Sequence, residues 1–303
     1  PAVAKVLANE APNVIHWLEN TIGVEFDKEK DGKYKLSKAG GLTNPRVLSC
    51  KGSAGEQIAI PLWQYVDNLG IETKENTAVL KIEKKDKLFH LEILENEEVT
   101  KLVCRTVILA AGGAASEIIK VGKEGKEGYI PDGLELAESI GATIESPELM
   151  QYHPTGVISP HSLRRIRLPE TMRGYGAVLT NIEGKQFTDH LGTRSEVTDA
   201  IVNEVKEGRG IPTENNLIGV WMHTEKIDEI HGNGFLKNNF EKIYAKFLLE
   251  EYDLSKIPVL VYPIVHYSLG GVKIDEHART SIEGLFAAGE ITWGVHGNDR
   301  LMG

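Results

Sequence analysis

Alternating strand and helix signals, without repeats or low-complexity tracts, predict an α/β fold for this 303-residue chain. Three segments carry that prediction. Thr106–Ala110 (TVILA) is a continuous apolar run closed by Ala111-Gly112-Gly113, the pattern of a strand buried on both faces that ends in a tight backbone turn. Asp132 stands as an N-cap before Gly133, Leu134, Leu136, Ala137 and Ile140, an amphipathic helix stopped by Gly141. Gly284–Gly289 (GLFAAG) reads as a second short buried strand, followed by Glu290.

The remaining elements follow in order. Gly55–Leu69 carries Ile58, Leu62, Tyr65, Val66 and Leu69 at helical spacing, and Pro61 is expected to mark the helix start, with one face packed on a sheet. Ala78–Glu83 and Leu88–Leu94 read as strands of a hairpin, joined through the solvated Lys84-Lys85-Asp86-Lys87 turn. Between about Thr155 and Val261 the texture changes, with helices expected over Glu196–Lys206 and Asn238–Glu251 and a strand over Leu217–Met222. From Val259 the chain is apolar again (VLVYPIV). The middle segment therefore reads as a second domain inserted into the first.

Composition excludes several function classes. A chain that is 41% hydrophobic and 26% charged describes a globular protein. No apolar run approaches the roughly 20 residues of a bilayer helix, and the first residues lack the basic-then-apolar pattern of a leader, so no direct membrane span is expected. A formal charge of −10 argues against nucleic acid as a partner, because neutralising phosphates requires a basic face. Cys50 and Cys104 lie far apart with no CxxC pairing, so metal, haem and iron–sulfur ligation lack the needed spacing and no metal site is expected.

Four constellations carry chemistry: Gln151-Tyr152-His153-Pro154-Thr155-Gly156; Glu170-Thr171-Met172-Arg173-Gly174-Tyr175-Gly176-Ala177; His266-Tyr267-Ser268-Leu269-Gly270-Gly271-Val272; and Ala288-Gly289-Glu290 with His296-Gly297-Asn298-Asp299-Arg300-Leu301. Each alone is a weak signal. In this order they resemble the signature of the succinate dehydrogenase, fumarate reductase and L-aspartate oxidase flavoproteins, from roughly Arg46 to Gly303. The resemblance implies three segments: a partial Rossmann-type FAD-binding domain over 1–154, an α+β capping domain over 155–261 that closes over substrate, and a return segment of the FAD-binding domain over 262–303. Such a cap is expected to bring His153 and His266 together. Absent is a strand followed by GxGxxG opening a helix, the unit that holds a dinucleotide pyrophosphate. Gly122, Gly125 and Gly128 do not supply it, since no strand precedes their Lys/Glu-rich stretch. The chain is therefore expected to begin inside the flavin domain and to hold FAD weakly or not at all by itself.

The residue types suit reduction of an alkene flanked by carboxylates, or its reverse, which needs donors at both ends of the substrate and a proton donor at one carbon. His153, His266 and Arg300 are candidate substrate donors, and Arg forks onto a carboxylate with two parallel hydrogen bonds. Taken singly, each histidine would more readily be a satisfied structural residue; their position in matching motifs reverses that preference. By resemblance, Arg194 in Gly192-Thr193-Arg194-Ser195 falls on the arginine that transfers the substrate proton, with Glu170 and Arg173 as its relay. A surface arginine and an ion pair are the plain alternatives. Resemblance also places Ala111, Gly112 and Gly113 near the cofactor, with Asp132, Glu290 and Arg300 on its polar side. It further implies a small dicarboxylate substrate and, for a partner, an iron–sulfur or other electron-transfer subunit. The implied location is cytoplasmic, peripheral at the membrane where the other components of a complex hold it.

Three departures bear on the substrate. Pro169 stands where the family has a Thr whose hydroxyl contacts a substrate carboxylate; Asp299 replaces a common Asn beside Arg300; and Ser268 replaces Thr. The His153–Arg173 spacing, which includes His161–Arg167, is longer than in typical fumarate reductases and closer to the L-aspartate oxidases. The favoured expectation is fumarate/succinate interconversion, with L-aspartate-type oxidation and an inactive folded fragment unable to bind FAD as the alternatives.

Overall fold

The computed structural model describes residues 2–37, 41–52, 54–115 and 133–301 and has a mixed α/β architecture with several sheets. The chain divides into two compact units. One comprises Pro1–Leu36, Leu48–Met150 and Tyr267–Arg300; the other comprises Ser37–Val47, Gln151–His266 and Leu301–Gly303.

The first unit opens with helices α1 (Ala2–Trp17) and α2 (Ala54–Asn68). The sequence places the start of α2 at Pro61, but the helix runs through that proline. One missing amide does not end it, because the apolar face continues on either side: Ile58, Leu62 and Tyr65 pack on a small cluster of Leu18, Ile22, Val24, Phe26 and Cys50. Among the described residues that cluster is what these side chains cover. Strands β1 (Thr77–Lys85), β2 (Leu88–Glu95) and β3 (Glu98–Cys104) form an antiparallel meander. Its first turn is the expected hairpin, closed at Asp86-Lys87 with Asp86 at φ 55°. Phe89, Leu91 and Ile93 alternate into the core, whereas β3 buries nothing fully, which is why its sequence has no clear strand signal.

Strand β4 (Val107–Leu109) and helix α3 (Gly133–Ser139) follow, then β5 (Ile144–Glu145). Gly141, at φ 83°, stops α3 as expected; its N–H bonds Glu138 O and the next N–H bonds Ala137 O, which satisfies two terminal carbonyls. The expectation that β4 is buried on both faces fails. Ile108 is 70% exposed, because among the described residues β4 pairs only with one strand and only its Leu109 face is covered.

The second unit begins along β6 (Met150–Ser159), continues through α4 (Glu170–Gly174), β7 (Val178–Thr180), α5 (Arg194–Lys206), β8 (Ile211–Pro212), β9 (Ile218–His223), α6 (Lys226–His231), α7 (Phe235–Asn239) and α8 (Glu241–Leu248), and ends along β10 (Val259–Ser268). The strands form one sheet in the order β8-β9-β10-β6, with β7 paired to β9. The single helix expected over Asn238–Glu251 is instead two, broken at Phe240 (φ −131°), whose ring turns inward to pack on the core and on Tyr175. Leu168, Met172, Leu179, Val197, Ile201 and Met222 are all fully buried in that core. The chain then adds β11 (Gly271–Lys273), β12 (Leu285–Ala287) and β13 (Thr292–Trp293) to the first unit. β12 lies parallel to β4, while β11 joins β13 and β5. Among the described residues no helix is long and apolar enough to cross a membrane.

Helix α5 starts two residues earlier than the sequence reading, because Thr193 and Glu196 form a reciprocal cap: Glu196 N–H donates to Thr193 Oγ1 at 3.3 Å and Thr193 N–H donates to Glu196 Oε2 at 2.8 Å. Thr193→Ala is expected to cost about 1 kcal/mol of stability. Chemical denaturation of wild type and variant measures this, and equal midpoints would show that the cap does not hold the start of α5.

Candidate active site

Strand β6 carries Gln151, His153 and Thr155 on one face, all buried, while Tyr152 between them is exposed. Thr155 organises the local geometry. Its hydroxyl donates to Leu168 O at 2.8 Å, and its backbone N–H donates to His153 Nδ1 at 3.3 Å. Nδ1 is thus an acceptor, which puts the ring proton of neutral His153 on Nε2.

His266, near the end of β10, lies beside it, with ring centroids 5.3 Å apart and planes at 80°. Arg167 Nη1 donates to His266 Nδ1 at 2.8 Å. Burial, reinforced by His266 and by the positive charges of Arg194, Arg173 and Arg167, pushes the His153 pKa down to about 2.

One carboxylate and two guanidiniums form a contiguous chain. Glu170 opens α4 immediately after Pro169, and Arg173 follows one turn later. Arg194 is the first residue of α5. It donates from Nε to Glu170 Oε1 at 2.7 Å, from Nη2 to Glu170 Oε2 at 3.0 Å and from Nη1 to Gln151 Oε1 at 2.8 Å. Arg173 Nη2 reaches Glu170 Oε1 at 3.4 Å and its Nη1 donates to His190 O at 2.5 Å, while its Nε is buried without a hydrogen-bond partner. Burial pulls the Arg173 pKa down, and the Glu170 carboxylate opposes that shift. Arg194 is 8% exposed, so it is not a surface arginine at a helix end.

The other sequence-derived candidates fall in the first unit. β4 and β12 are parallel neighbours, and each ends in glycine: Ala111-Gly112-Gly113 after β4, with Gly112 at φ 80°, and Gly289-Glu290 after β12. A Cβ on Gly113 would lie 2.6 Å from Ser268 Cβ and 2.7 Å from Glu290 Cγ. Glu290 Oε1 accepts the Ser268 N–H at 2.9 Å. Arg300 stacks on Tyr267, its Cζ 4.2 Å from the ring centroid. Asp132 lies outside the described residues.

Within the second unit the structure therefore brings His153, His266, Glu170, Arg173 and Arg194 together, and it adds Gln151, Thr155 and Arg167, to which sequence reasoning gave no role. Gln151 and Thr155 had a usable signal, since polar residues at every second position of an apolar strand mark a polar buried face. Arg167 had none, being 99 residues from His266 in the chain.

The depressed pKa of His153 has a thermodynamic consequence. The unfolded chain takes up the proton near pH 6.5 and the folded one only near pH 2, so the stabilising contribution is complete above pH 6.5 and is lost as pH falls below it. Between pH 6.5 and 5, wild type should lose up to about 2 kcal/mol more than His153→Gln, at roughly 1.4 kcal/mol per pH unit. Denaturation at the two pH values checks this; parallel losses would mean that His153 is not held neutral.

A family model described as FAD binding domain matches residues 1–303. The chain is 33% identical over 313 residues to one of the subunits of the fumarate reductase (CoM/CoB) of Methanothermobacter marburgensis, covering 100% of this chain and 55% of that protein. It is 28% identical over 301 residues to the L-aspartate oxidase of Clostridium acetobutylicum, covering 98% of this chain and 66% of the relative. The chain thus spans roughly half to two thirds of the length of these curated relatives. A solved variant of the E. coli quinol fumarate reductase FrdA superposes with a TM-score of 0.84 at 25% identity, covering 98% of this chain and 53% of the other. A match along its full length to that family model, joined to relatives of both fumarate reductase and L-aspartate oxidase type, shows that the chain belongs to the FAD binding domain family, among the flavoproteins of the succinate dehydrogenase/fumarate reductase group.

Proposed function

We propose that the full protein interconverts fumarate and succinate, or a closely similar dicarboxylate, with Arg194 as the proton-transfer group. The Arg194–Glu170–Arg173 chain carries this reading. Its two guanidiniums are buried, joined through one carboxylate, and lie in the same unit as a pair of histidines. Guanidinium is a very weak acid, but a carbanion beside a carboxylate is basic enough to take its proton, provided the proton is returned at once. Glu170, bonded to Arg194 at two points, is placed to return it, with Arg173 behind. His153 Nε2–H and His266 Nε2–H serve as neutral donors to substrate carboxylates, and Arg300 is assigned to carboxylate binding.

FAD, the cofactor of the family, fits the residues present. The ends of parallel strands are where α/β sheets bind ligands, and after β4 and β12 Gly112 and Gly289 leave open space where a Cβ would stand, while Gly113 packs closely on Ser268 and Glu290. Ala111, Gly112 and Gly113 would line it, and Glu290 would accept from ribityl hydroxyls, since one bond to Ser268 N–H leaves a carboxylate further acceptor capacity. When bound, FAD supplies the two-electron chemistry by hydride transfer. The proposed electron partner is an iron–sulfur or other electron-transfer subunit.

Gly113→Val in the full protein should abolish stoichiometric flavin absorbance after desalting, because the added side chain meets Ser268 and Glu290; full retention would remove Gly113 from the cofactor site. Arg194→Lys should lower turnover by roughly 10²–10⁴-fold with little change in substrate affinity, as expected for a group acting in the transition state. Arg300→Lys should damage both, weakening binding by about 1–3 kcal/mol through loss of the planar fork. Steady-state kinetics with an independent measurement of affinity decides between these patterns. If Arg194→Lys mainly weakens binding, the proton donor lies elsewhere. Peroxide release on aspartate, without fumarate turnover, would establish the amino-acid oxidase reaction instead.

A further inference from the structure

We propose that Arg167 is a positioning residue for His266: its guanidinium fixes the imidazole in the tautomer with the ring proton on Nε2, so that His266 can present only a donor to a substrate carboxylate. The inference rests on the dicarboxylate reading above. Its starting point is the 2.8 Å contact from Arg167 Nη1 to His266 Nδ1. A guanidinium carries donors only, so Nδ1 must face it with a lone pair; a proton there would set N–H against N–H.

The contact is built, not incidental. After β6 the chain passes through a short helical turn at His161–Leu163 and returns along the same strand. Arg165 N–H donates to Val157 O at 2.9 Å, Val157 N–H donates to Ile166 O at 2.8 Å and Leu168 N–H donates to Thr155 O at 3.0 Å. Arg167 pairs across from Gly156 in that ladder, clamped on both sides although its side chain is exposed.

The strand that carries His153 therefore also delivers the group that sets His266. His153 reaches the same tautomer by a different route, through the Thr155 N–H. Both imidazoles end as Nε2–H donors, His266 Nδ1 accepting from a guanidinium and His153 Nδ1 from the Thr155 N–H. Pro169, beside Glu170, brings neither a side-chain donor nor an N–H, and the two histidines supply neutral donors in the same unit.

The test uses the full-length, FAD-loaded protein with succinate and fumarate as probes. Arg167→Met should weaken succinate binding on the order of tenfold while turnover at saturation changes by less than about threefold, as expected for loss of a charge-assisted hydrogen bond that acts on binding. Arg167→Lys, which keeps a donor at Nδ1, should recover most of the affinity. In a His266→Ala background Arg167→Met should have almost no further effect, because its action passes through the imidazole. The ¹⁵N spectrum of histidine-labelled protein should show His266 Nδ1 as an unprotonated acceptor in wild type and a mixture of tautomers in Arg167→Met. Additive losses in the double variant, or an unchanged His266 spectrum in Arg167→Met, would overturn the proposal. Should wild type neither bind nor turn over either dicarboxylate, the functional reading fails, while the ¹⁵N comparison still decides whether Arg167 sets the tautomer.

Discussion

Two guanidiniums, Arg173 and Arg194, share one carboxylate, Glu170, away from water, and the rest of the site depends on that arrangement. Removing a cation from water is expensive, and removing two side by side adds their repulsion. Glu170 answers both costs at once. Arg194 docks on it through Nε and Nη2, and Arg173 reaches it from one turn further along α4. Burial draws the Arg173 pKa down, yet the ordinary guanidinium value is so high that the side chain remains a cation. A buried ion triad of this kind is weak evidence for stability alone. Its better rationale is positional, since it holds three charged side chains within hydrogen-bond reach of one another.

The positions are set by apolar neighbours in the chain. Leu168 precedes Pro169-Glu170, Met172 precedes Arg173, and Val197 lies one turn after Arg194; all three are fully buried. Each functional side chain thus hangs from an element whose other face is locked in a close-packed core, which leaves little room for the charged group to wander. The reciprocal Thr193–Glu196 cap does the same for the start of α5. On β6, strand alternation sends Gln151, His153 and Thr155 to one side without any need for a special turn.

Charge tells a local story that the whole chain hides. The chain carries a formal −10, but Arg167, Arg173 and Arg194 all act on His153, and the last two share the Glu170 carboxylate. His153 adds no charge because burial and those same arginines keep it neutral. Positive charge at this cluster contrasts with an acidic remainder, which disfavours unselective binding of polyanions.

Much of this was determined by the sequence alone. The α/β class followed from local periodicity, because segments such as Leu88–Leu94 and Glu196–Lys206 bury one face and write that face into their residue order. The family followed from four motifs in register, since side chains that meet one chemistry are constrained in type and order. Only the tertiary structure decided the rest. Phe240 broke an expected helix because an aromatic side chain gained more by entering the core than the backbone lost at the break. Pro61 did not end α2 because packing on a neighbouring cluster outweighed one absent amide. Ile108 stayed exposed because burial depends on which strands flank it, and a residue's own apolarity does not specify its neighbours. Arg167 met His266 only because the chain after β6 folded back on that strand, and a contact between residues so far apart in the chain leaves no periodic trace in the sequence.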